Sequence, residues 1–136
     1  MKPAAVVRQK KRHLSIRPRV KFWLELDGER AFCPGVWRIM QEIERTGSIK
    51  DAAQAMGRSY RFVWGKIKQV ERALGAPLVE TRVGGSQMQR SVLTPLGRLL
   101  TREFDALRQR LFDAVDREYA PRLQAAVDRV RGSCGE

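Results

Sequence analysis

Between Ile49 and Leu74 the apolar residues fall into two helical stripes separated by a glycine. That arrangement narrows the fold more than any other feature of this 136-residue chain. Ile49, Ala52, Ala53 and Met56 stand at i, i+3, i+4 and i+7, one face of an α-helix. Ser48 is placed to cap that helix, because its hydroxyl can accept from an unpaired N–H of the first turn. Gly57 suits the left-handed conformation that ends a helix sharply. Ser59 can then cap a second helix, which buries Val63, Ile67, Val70 and Leu74 at spacings of 4, 3 and 4. Its other faces show Tyr60, Arg61, Trp64, Lys66, Lys68 and Arg72. A short alanine-rich helix under a basic, aromatic one predicts a helix-turn-helix, the motif that sets its second helix in the DNA major groove.

The next segment extends this reading. Leu78–Arg82 reads as a strand, Val83–Gln89 as a glycine-bearing loop, and Arg90–Thr94 as a returning strand. A hairpin here is the wing of a winged helix. The predicted DNA contacts are Ser48, Ser59, Tyr60, Arg61, Trp64, Lys66, Lys68, Arg82 and Arg90. Taken alone, the aromatic and basic residues of the second helix equally describe a solvated face; the motif around them favours base or phosphate contact. Arg61 leads as base reader, since its planar fork matches O6 and N7 of guanine. Trp64 lies beside Tyr60 and Ile67, which points to partial burial. An ordinary turn is enough to explain Gly84 and Gly85, so the wing rests on its context.

The strings GSIxxAAxxxGxSYRxxW, LGxPLVETRxGG and LTPLG resemble the N-terminal DNA-binding domain of ModE-type molybdenum-responsive regulators. That domain is in turn similar to the winged helix of LysR-type regulators. The marks are Ser59-Tyr60, the base at Arg61, Trp64 and Gly84-Gly85, and the likeness runs over roughly residues 20–120. The pattern departs at Gly65, where the family often has an acidic residue, and in a wing loop with fewer glycines. The resemblance implies transcriptional regulation linked to molybdenum. In full-length members separate C-terminal domains bind molybdate; this chain ends at Glu136, too early for them, so the sequence offers no effector site. Three readings stay open: action without ligand, a separate effector-sensing partner, or a chain that is part of a longer one.

The expected fold class is mainly α with a small β component: a winged helix-turn-helix plus a long C-terminal dimerisation helix. Residues 1–18 read as a disordered basic arm, with few apolar side chains to offset ordering. Eight lysines and arginines stand between Met1 and Lys21 without one acidic residue, against a net charge of +12 for the whole chain. Such a balance favours a polyanionic partner. Residues 19–94 form the DNA-binding domain, opening on a strand in which Val20, Phe22, Leu24 and Leu26 alternate with polar positions before an Asp27-Gly28 turn. Val36, Ile39, Met40 and Ile43 stripe a first helix that ends at Gly47. Residues 95–131 form the helical dimerisation segment. Its first helix, Pro95–Tyr119, is capped by Thr94, spans about 37 Å, and ends or kinks before Pro121. Leu123, Ala126, Val127 and Val130 suggest a further short helix. Its stripe exceeds what one small domain can cover, so Leu100, Phe104, Leu107, Leu111 and Val115 are expected in a homodimer seam.

Catalysis is not expected. The lone histidine, His13, lies in the arm, and no nucleophile set or phosphate-cradling loop accompanies it. Glu42, Glu44, Asp51 and Glu71 sit beside bases and read as ion-pair partners. Cys33 and Cys134 match no metal spacing and suggest no structural disulfide, so neither cofactor nor metal is expected. The basic start lacks the apolar run of a signal peptide, and no stretch is long enough for a bilayer; the reading is a cytoplasmic protein with no membrane partner. The expected function is sequence-specific binding of double-stranded DNA by a transcriptional regulator. The alternatives are a protein-interaction winged helix and a non-specific architectural DNA-binding protein.

Overall fold

The computed structural model describes residues 12–84 and 89–134. Residues 21–110 form one compact unit; residues 111–134 and 12–20 form a second.

The first unit opens with β1 (Leu24–Leu26) and β2 (Glu29–Phe32), an antiparallel hairpin. Its two turn residues both have positive φ, 50° at Asp27 and 82° at Gly28, as a type I′ turn needs. The expected strand is therefore shorter than read, and its partner β2 was not anticipated. Only Ala31 and Phe32 of β2 are buried, so Glu29 and Arg30 give no alternating pattern. Then come α1 (Pro34–Thr46), α2 (Ile49–Ala55) and α3 (Tyr60–Leu74). The glycine expected to end α1 does so: Gly47 has φ 73°, and its N–H donates to the Ile43 carbonyl at 2.7 Å. The wing strands β3 (Val79–Val83) and β4 (Gln89–Leu93) pair antiparallel in unbroken register. Residues 85–88, most of the expected loop, lie outside the described residues.

Two buried polar groups fix where the wing starts and stops. Glu71 is buried, and its Oε2 accepts from the N–H groups of Leu78 (2.7 Å) and Val79 (3.3 Å). Thr94 donates to the Pro77 carbonyl at 2.7 Å and accepts from the Gly97 N–H at 3.1 Å, capping α4 (Pro95–Glu118) as the sequence suggested. The helix approaches Leu78 so closely there that a Cβ at Gly97 would stand 2.3 Å from the Leu78 carbonyl oxygen. Only glycine fits.

The stripes expected on α1, α2 and α3 meet in one core that includes Val36, Ile39, Met40, Ile43, Ala52, Ala53, Val63, Ile67 and Val70. Phe104 of α4 completes it and is 1% exposed. Its ring stacks on Phe22 at 4.5 Å, meets Phe32 edge-on at 5.2 Å and lies 5.9 Å from Trp37. This corrects the sequence reading of Phe104, which placed it in a dimer seam. Phe104 belongs to the domain's own core and Leu100, partly buried, packs against it. Of the five seam residues, Leu107 is 39% exposed, and Leu111 and Val115 are partly buried.

In the second unit, α4 ends at Glu118 and α5 (Ala120–Ser133) begins with Pro121 in its first turn, where a missing N–H costs nothing. Residues 12–16 run along α5. Gln124 accepts from the Ile16 N–H at 3.0 Å and donates to the Leu14 carbonyl at 2.8 Å, while Arg131 donates to the Arg12 carbonyl at 2.9 Å. A free arm is thus the wrong description of residues 12–16; residues 1–11 lie outside the described residues. No residue of α5 is buried, although it carries Leu123, Val127 and Val130.

Candidate nucleic-acid interface

The turn between α2 and α3 is built as its sequence requires. Gly57 has φ 65°, and the Arg58 N–H reaches back to the Ala53 carbonyl at 2.9 Å. Ser48 accepts from the Asp51 N–H and Ser59 from the Phe62 N–H, each at 3.1 Å. Both predicted serines therefore act as helix caps, and each hydroxyl proton remains available for an outside acceptor. The α3 face opposite Val63, Ile67 and Val70 is open. Tyr60 is 52% exposed and Trp64 44%, so Trp64 is about half covered, in line with its place beside Tyr60 and Ile67. The Lys68 ammonium lies 5.6 Å from the centre of the Trp64 ring and pairs with Glu71 at 3.1 Å. Lys68 is thus partly committed within the domain, whereas Arg61 is exposed with no ion-pair partner among the described residues. At mid-helix, Gly65 has nothing within 4 Å of where a Cβ would stand.

The wing stands beside the start of α3. Ser48, Ile49, Lys50, Tyr60, Thr81 and Ser91 line one shallow cleft, which brings two predicted contacts together with the wing strands. The Ser91 N–H donates to the Gly47 carbonyl at 2.9 Å, tying β4 to the α1–α2 turn. Arg82 and Arg90 are direct cross-strand partners. Like charges facing each other across a hairpin repel, and an anion between them would remove that cost. Arg82 has partial relief from Glu80 at 3.3 Å, but both side chains are exposed and such a pair is weak.

An exposed basic helix fixed beside a basic hairpin is the architecture of a winged reader, and residues 36–98 match the family described as bacterial regulatory helix-turn-helix protein, lysR family. Residues 36–98 are thus similar to a LysR-type helix-turn-helix. Over 69 residues the chain is 36% identical to the molybdenum-pterin-binding protein MopB of Rhodobacter capsulatus, covering 51% of this chain and 26% of that protein. Over 96 residues it is 31% identical to the transcriptional regulator ModE of Yersinia pestis, covering 67% and 36%. The chain therefore spans about a third of the curated relatives it matches, or less. A solved LysR family transcriptional regulator superposes at a TM-score of 0.48 with 16% identity, over 62% of this chain and 27% of that one.

The LysR-type match runs from α1 into the first turn of α4, so it holds every predicted DNA contact. Lys66 stands apart from the others. It lies on the flank of α3 away from the wing, 5.6 Å from the Phe62 ring, with the Arg58 guanidinium 4.9 Å from the same ring. Phe62 is 41% exposed, and neither it nor Arg58 was singled out from the sequence. Arg58 falls in the turn outside both helical stripes, and Phe62 next to Val63 reads as core until the helix phase is fixed. Among the described residues no group of three or more His, Cys, Asp or Glu could hold a metal, and no helix is long and apolar enough to cross a membrane.

Proposed function

We propose that this chain binds double-stranded DNA sequence-specifically, as a homodimer, and regulates genes of molybdenum metabolism. The carrying observation is the open face of α3, where Tyr60, Arg61 and Trp64 stand exposed beside the paired wing arginines Arg82 and Arg90. Arg61 and its neighbours enter the major groove, while the wing arginines take phosphates, which relieves their mutual repulsion. The names of the MopB and ModE relatives support the molybdenum link. The unburied α5 and the partly exposed Leu107 support the homodimer: apolar side chains left partly exposed among the described residues are covered by a second copy.

Titration of duplex DNA at rising salt tests the reading. The wild type should prefer a duplex selected from a randomised pool over an unrelated one, and its affinity should fall steeply, with a slope of about 0.9 per phosphate contact in log–log form. Equal affinity for both duplexes would favour architectural binding. No salt-sensitive binding to either would favour a protein-interaction role.

A further inference from the structure

The fold does not explain Gly65. Gly47 and Gly75 end helices in the left-handed conformation, and Gly97 sits against the Leu78 carbonyl. Gly65 has neither reason. It lies inside the 15-residue α3, its φ is not positive, and the space where its Cβ would stand is empty to 4 Å. An alanine there would fit without a clash and would hold the helix better. The chain therefore carries a helix-weakening residue that its own folding does not require.

The position explains it. Val63, Ile67, Val70 and Glu71 are the buried residues of α3. At 100° per residue, Gly65 falls diametrically opposite their mean direction, at the middle of the face turned away from the core, and is itself half-buried. Arg61 and Gln69, both exposed, stand one turn to either side of it, at i−4 and i+4. A guanidinium and a carboxamide are the two side chains that pair bidentately with guanine and adenine edges. The glycine between them is a notch in the centre of the reading stripe.

We infer that Gly65 is a specificity-determining contact: the bare α3 backbone rests on base-pair edges at the floor of the major groove. Glycine is the residue that lets a backbone approach a ligand this closely. Losing the Cβ brings the helix axis nearer the bases by roughly one carbon–carbon bond, about 1.5 Å. Arg61 and Gln69 then reach their edges together instead of being held off by a side chain between them. The phosphate contacts come from the wing and from the flanks of α3, so they depend less on this depth. This inference rests on the DNA-binding reading above, which can hold without it.

Gly65→Ala in the full chain tests it, because stability and recognition should move in opposite directions. Thermal unfolding should shift upward by about 4–8 °C, the size of an alanine-for-glycine gain in a small domain. Affinity for the duplex that the wild type selects from a randomised pool should fall at least tenfold, while affinity for an unrelated duplex of equal length stays within twofold. Gly132→Ala makes the same exchange at another open helical position and should leave both affinities unchanged. Selected-duplex affinity equal to or better than wild type in Gly65→Ala would overturn the inference and leave the DNA reading intact. A lower melting temperature would overturn it too, by showing that the fold needs the glycine. An equal loss in Gly132→Ala would reassign the effect to general helix stiffening. A wild type that binds neither duplex would remove the DNA reading, and this inference with it.

Discussion

Residues 21–110 and residues 111–134 are both largely helical, yet they solve the problem of stability differently. The first unit buries thirteen apolar side chains in one cluster. In the second, α5 buries none, and residues 12–16 are held to it by side-chain hydrogen bonds to backbone. Three of those bonds, partly or fully exposed, cannot substitute for a core, since each contributes only about 0.5–1.5 kcal/mol. One unit is specified by its own interior. The other leaves Leu123 and Val130 exposed among the described residues.

The difference can be broken most directly at the core. Phe104→Ala should cost about 3–5 kcal/mol in urea unfolding, because it empties the centre of the aromatic group formed with Phe22, Phe32 and Trp37. Leu123→Ala, at an exposed site in α5, should stay within about 0.5 kcal/mol at concentrations where the chain is monomeric. Similar losses at both sites would erase the distinction.

A smaller effect on folding, but a decisive one on assembly, is expected from Leu107→Glu combined with Leu111→Glu. Carboxylates placed in an apolar seam carry an uncompensated desolvation cost. Sedimentation at micromolar concentration should show a dimer for the wild type and a monomer for the double variant, whose unfolding transition falls only by the stabilisation that association gave. A wild-type monomer would mean that these side chains need no second copy. The smallest change is expected from Gln124→Ala. It should raise hydrogen exchange at the Ile16 amide and leave the melting temperature within about 2 °C, since it removes exposed or half-exposed hydrogen bonds. Unchanged exchange at Ile16 would mean that Gln124 does not hold the segment.

The two units were not equally legible in the sequence. In the first, periodicity and punctuation agree: Ser48, Ser59, Gly47, Gly57 and Gly75 stand at helix ends, and the apolar stripes between them are the buried faces. What escaped there was a matter of partition. The stripe on α4 is continuous, and nothing in its spacing says that Phe104 turns inward to the core while Leu107 stays exposed. Glu71, three residues after Lys68, reads as a surface ion-pair partner; its second role, holding the start of β3, depends on a loop folding back. In the second unit the missed bonds join residues 108 to 119 positions apart, and no local pattern carries such information. The candidate interface follows the same rule. The helical period marks residues on its stripes, whereas Arg58 in the turn and Phe62 at the edge of the buried face are brought together only by the fold.

The central claim is that the open face of α3 reads base sequence, and Arg61 is its most exposed commitment. Anisotropy titration of wild type and Arg61→Ala on the selected duplex and on an unrelated one tests it most directly. The account predicts a loss of about 1–3 kcal/mol on the selected duplex, the worth of one bidentate base contact, and a much smaller loss on the unrelated one. An equal loss on both duplexes would contradict it, making Arg61 a phosphate contact and leaving α3 without its principal reader.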